Sequence, residues 1–137
     1  MRRIRIRAGG VEAIAALLDN RTADAIWAAL PLRATVSLWG DEIYFRIPVD
    51  LSPERPQAVV SAGDLGYWPP GKAFCLFWGP TPASVGDEIR PASPVNLFGR
   101  LEGAPDVFAG VPDGVPITVE RVESGQERVE PGGERAT

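Results

Sequence analysis

The sequence predicts a small all-β domain: a closed β-barrel of about eight short strands, with one or two short helices. Three observations carry this. The 137 residues include 15 Gly and 14 Pro, which break long helices and mark frequent turns. Short runs alternating apolar and polar residues recur between those turns. A small sheet with little helical cover solves its edge problem by closing on itself. Apolar residues make up 45% of the chain, enough for one core, and nothing marks a linker or an internal repeat within residues 1–122.

The elements follow in order. Ile4 and Ile6 alternate with Arg3, Arg5 and Arg7, the pattern of a half-buried strand with its arginines on the wet face. That strand reads as an edge guarded by charge, or as an anion-binding stripe. Val11 to Leu18 is open. Its Ala, Leu and Glu favour helix, whereas its short length between Gly10 and Asp19-Asn20 suits a strand paired with the first. The clearest helix runs from Thr22, as its cap, to Leu30. Asp24 suits its positive end, and Ala23, Ile26, Trp27 and Leu30 form one apolar stripe before Pro31 stops it.

Arg33 to Trp39 alternates weakly, and Gly40-Asp41 is a hairpin signal. Glu42 to Ile47 alternates cleanly, with Ile43, Phe45 and Ile47 on one face and Glu42, Tyr44 and Arg46 on the other. Leu65 to Trp68 is a strand that Pro69-Pro70-Gly71 turns. Ala73 to Trp78 is apolar on both faces, so it is central or carries a pocket on its outer side. Val95 to Leu101 and Ile117 to Val122 are the last strands. Residues 123–137 are mostly polar and read as a flexible charged tail.

Composition narrows the function. There is no histidine, which removes Ser-His, Cys-His and His-metal chemistry. One cysteine, Cys75, allows no internal disulfide and no cysteine metal cluster; within an apolar strand it reads as a buried, inert thiol. A net charge of −4 disfavours a nucleic-acid partner. No apolar run approaches the roughly 18 residues of a membrane span, and the basic N-terminus has no signal-peptide core behind it. The expected compartment is the cytoplasm, with no membrane partner, no metal and no cofactor.

The densest feature is Gly63 to Gly71, where two prolines stiffen a loop beside Tyr67 and Trp68. The rings form either a platform for an apolar ligand or an inward-packed cap. Arg46 is either a solvated charge or a donor to a carbonyl or carboxylate in a groove. Asn96, among strand apolars, either bonds backbone inside the barrel or points into a site. Asp41-Glu42 and Asp87-Glu88 read as turn chemistry, since adjacent strand positions face opposite ways.

Three segments carry a resemblance. They are Trp39 through Phe45, Gly63 through Pro82 with its Tyr-Trp-Pro-Pro-Gly core, and Ala92 through Leu101. Together they resemble the cyclophilin-like family of small prokaryotic proteins, over about Arg3 to Val122. The resemblance implies the cyclophilin barrel and makes 11–18 a strand. Cyclophilins are peptidyl-prolyl isomerases, and Phe45-Arg46-Ile47-Pro48 is similar to their arginine motif, with the arginine one residue nearer the proline. Phe77 falls where their aromatic residues line the proline pocket. Cys75 stands at their glutamine, and their pocket histidine has no counterpart.

The expected function is therefore binding of a peptide or small apolar ligand by Arg46, Tyr67, Trp68, Phe77 and Asn96 on the barrel face, without standard isomerase chemistry. The alternatives are a weak prolyl isomerase and a homodimer formed through an apolar strand face.

Overall fold

The computed structural model describes residues 1–123. The rest of the expected tail lies outside the described residues. Nine strands form one antiparallel sheet: β1 (Arg3–Ala8), β2 (Val11–Leu17), β3 (Leu32–Thr35), β4 (Ser37–Leu38), β5 (Glu42–Arg46), β6 (Asp64–Trp68), β7 (Ala73–Phe77), β8 (Asn96–Leu101) and β9 (Pro116–Val122). One helix, α1 (Arg21–Ala29), follows β2, and a 3-10 turn (Pro69–Gly71) links β6 to β7.

The strand order is β3-β9-β1-β2-β8-β6-β7-β5-β4. Its two ends, β3 and β4, are consecutive in the chain and separated only by Val36. One bent segment thus spans the seam. It pairs first with β9 and then with β5, and the barrel nearly closes. The single strand expected over 33–39 breaks in two because it must serve two partners. At the break, the Val36 amide donates to the Val115 carbonyl at 2.8 Å and the Leu38 amide to Asp113 Oδ1 at 2.9 Å.

Inward-facing Ile4, Ile6, Ile43, Phe45, Leu65, Phe74, Leu76 and Phe98 fill the barrel. Phe74 stacks on Phe45 with ring centres 4.8 Å apart and meets Phe98 edge-on at 5.1 Å.

Two expectations change, and one open reading resolves as the family resemblance implied. β1 is not an edge, because it lies between β2 and β9. Its arginines do reach the wet face, where Arg5 and Arg7 pair with Glu12 at 3.1 and 2.9 Å. Residues 11–17 resolve as strand, since pairing on both sides outweighs a helix preference of a few tenths of a kcal/mol per residue, about what propensity supplies. The cap of α1 is Asn20, whose side chain accepts from the Ala23 amide at 2.8 Å. Thr22 is instead buried, and its hydroxyl donates to Glu54 Oε1 at 2.6 Å.

Candidate functional site

The pleat of β5 sends Glu42, Tyr44 and Arg46 to the outer face of the barrel. Across the ladder they meet Phe77, Cys75 and Ala73 of β7, in that order. Gly66 and Trp68 of β6 continue the same face beyond Cys75 and Ala73. An apolar outer face needs cover. The chain supplies it from two loops, tied by the bridges Gln57–Val95 and Val60–Ile89. Val60, Ile89 and Val95 pack there on Ala73, Cys75 and Phe77 as a second, smaller core. Gly66 lets this cover descend, because a Cβ there would stand 2.7 Å from a Val95 methyl.

The cover stops short of β5 and leaves an open pocket of about 260 Å³. Its walls are Trp39, Tyr44 and Trp68, completed by the buried Cys75, Pro91 and Val95 and the exposed Ala92. Trp68 is held from two sides. Its Nε1 donates to Ser93 Oγ at 2.7 Å, and its ring lies so close to Gly71 that a Cβ there would meet it at 2.5 Å. The doubled-proline turn thereby fixes a ring at low entropic cost.

Glu42 also lines the pocket, and it is the unusual member. Its residue is 5% exposed, and its Oε1 is buried without a hydrogen-bond partner among the described residues. Burial pushes its carboxyl pKa up to about 7, and contact with the Cys75 thiol offsets this only in part. The thiol in turn is raised well above its ordinary range, by burial first and then by Glu42, so Cys75 is inert as a nucleophile. The reading of Glu42 as turn chemistry is corrected: it is a buried strand residue facing a pocket. Its neighbour Asp41 ties the turn to residues 78–80 through its backbone, its amide donating to the Pro80 carbonyl at 3.0 Å and its carbonyl accepting from the Trp78 amide at 3.0 Å. Among the described residues, no three Asp, Glu or Cys side chains gather as a metal-holding group.

A family model described as cyclophilin-like matches residues 2–120. The chain belongs to the cyclophilin-like family. It is also similar to the hypothetical protein AF2241 from Archaeoglobus fulgidus, known from a solution structure, with 44% identity and a TM-score of 0.77. That match covers 88% of this chain and 95% of the archaeal one. No curated protein matches the chain.

Within this cyclophilin-like barrel the expected site residues separate. Trp68 and Phe77 share the outer face with Arg46; Trp68 lines the pocket, while Phe77 is fully buried beneath the cover. Arg46 is exposed two residues beyond Tyr44, and its side chain makes no hydrogen bond or ion pair among the described residues. Tyr67 points into the barrel, where its hydroxyl donates to the Val49 carbonyl at 2.5 Å and accepts from the Leu51 amide at 3.1 Å. Asn96 is wholly buried. Its Oδ1 accepts from the Glu54 amide at 2.8 Å, and its Nδ2 donates to the Ser52 carbonyl at 3.1 Å and to Thr22 Oγ1 at 3.2 Å.

Sequence reasoning missed Trp39, Glu42 and Tyr44. A signal was present, since an apolar outer face on β7 demands cover, and the neighbouring strand's polar face must then meet that cover. Which residues bordered the gap depended on register, which the sequence did not display.

Proposed function

We propose that the outer-face pocket binds a small, largely apolar ligand that presents one polar group to Glu42. Glu42 lines this pocket beside three aromatic walls, and its buried Oε1 has no hydrogen-bond partner among the described residues, which together support this reading most directly. A buried polar atom without a partner costs about 1–3 kcal/mol, and a ligand that answers it recovers that cost. The remaining walls are flat and apolar, suited to a ring or a compact hydrocarbon.

The same face lacks the groups of a standard isomerase. Cys75 cannot replace an amide's hydrogen bonds, no histidine exists, and Arg46 does not line the pocket. Wild-type protein is therefore expected not to accelerate cis–trans exchange in a proline peptide. A rate increase that Arg46→Ala removes would overturn this part of the reading.

Binding is tested by NMR, following the indole N–H signals of Trp39 and Trp68 while benzamide is added. Benzamide, a flat ring with one amide, is expected to shift both signals. Ala92→Trp, which fills the mouth from an exposed position, is expected to abolish the shifts with the fold intact. Unmoved signals with benzamide and with the probes below would dispose of the pocket as a ligand site.

A further inference from the structure

We infer that the pocket formed by Trp39, Glu42, Tyr44 and Trp68 takes an alkylammonium group, seated against the rings with the Glu42 carboxylate as its counter-ion. This rests on the reading of the pocket as a ligand site and names the class of ligand.

Three observations point the same way. First, three of the walls are electron-rich rings, Trp39, Tyr44 and Trp68. The negative faces of such rings attract cations whose hydration is weak, and tryptophan does so best. Second, the one carboxyl in the lining is Glu42, and no Lys or Arg lines the pocket. The cation on the same face, Arg46, lies beyond Tyr44 and is exposed to solvent. The other arginine near the rim, Arg90, is engaged with Glu88 at 2.7 Å. Third, the Glu42 Oε1 has no hydrogen-bond partner among the described residues. A buried carboxylate is tolerated when a positive charge faces it, and none of the described side chains supplies one.

A neutral ligand answers only part of this. A carbonyl compound could accept a hydrogen bond from the acid form of Glu42 and pack on the rings, but it brings no charge for the negative ring faces to attract. An alkylammonium uses every wall, since its methyl groups pack on the rings while its spread charge is drawn to both rings and carboxylate. The volume, about 260 Å³, suits a trimethylammonium head with a short tail.

The discriminating probes are choline and the alcohol of the same shape in which carbon replaces the quaternary nitrogen. Free trimethyl-lysine is titrated alongside, because its side chain ends in the same quaternary trimethylammonium group as choline. Binding is read from the Trp39 and Trp68 indole signals. The expected result is about tenfold tighter binding of choline, or of trimethyl-lysine, than of the neutral alcohol. Glu42→Gln, nearly isosteric, is expected to remove most of that preference while still binding the alcohol. Tyr44→Leu is a second variant, expected to weaken the cation more than the alcohol.

Equal binding of cation and alcohol would overturn the inference and leave the pocket reading standing. So would a cation preference that survives Glu42→Gln. If benzamide, the cations and the alcohol all fail to move the signals, both readings fall.

Discussion

Glu42 carries the sharpest consequence at the scale of a single residue. Its carboxyl ionises near pH 4.5 in an unfolded chain and at about 7 in the folded one. Between those values the folded state holds a proton that the unfolded state has lost. Stability from this group is therefore complete below about pH 4.5 and declines as pH rises through 7. Glu42→Gln removes the ionisation. The variant is expected to match wild type at pH 4 and to exceed it at pH 8 by about 2–3 kcal/mol, as read by urea unfolding at both values. A variant less stable than wild type at pH 8 would contradict the burial described for Glu42.

At the scale of elements, the loop between β5 and β6 is held by a small polar network rather than by regular pairing. Asn96 at the start of β8 bonds Ser52 and Glu54 of that loop and Thr22 of α1. Glu54 closes the circuit by accepting from the Thr22 amide at 2.8 Å and the Arg21 amide at 3.1 Å, capping the helix from outside. Tyr67 anchors the loop's first part. Asn96→Ala leaves several buried groups unanswered, so it is expected to cost about 2–4 kcal/mol. Hydrogen exchange should speed up at the amides of residues 51–57 before it does so elsewhere. The same scale shows why some elements were legible and others were not. The alternation in β1 and β5 and the apolar stripe of α1 are local patterns, and they placed those elements directly. β2 was open because its composition favours helix, and only its two neighbours decide otherwise. The helix cap slid from Thr22 to Asn20 because both residues can cap, and the distant Glu54 claims the threonine.

The whole molecule combines opposing titrations. Hydrogen bonds from Arg7 to Glu12, from Thr22 to Glu54 and from Arg90 to Glu88 lower the pKa of each carboxyl. What they contribute is present above their ordinary value of 4.5 and is lost as pH falls below it. Glu42 works against the fold on the alkaline side. Thermal midpoints measured across pH are expected to peak in mildly acid solution, near pH 5, and to be lower at both pH 3 and pH 8. A flat profile from 5 to 8 would mean that Glu42 is ionised and answered in the free protein. The described residues include no helix long and apolar enough to cross a membrane. The apolar face of β7 is covered largely by Val60, Ile89 and Val95 of the same chain.

The sequence by itself determined the short-strand barrel, its single amphipathic helix and the stiff turn beside Trp68, because turn residues and two-residue alternation act over a few neighbours. It also excluded histidine chemistry outright. Only the tertiary structure decided which side chains share a cavity. Tyr67 and Trp68 are adjacent in sequence yet lie on opposite faces of β6, while Trp39, Glu42 and Trp68 converge from separate elements. Strand register and the path of the covering loops made that choice, and both are settled by long-range packing that no local pattern records.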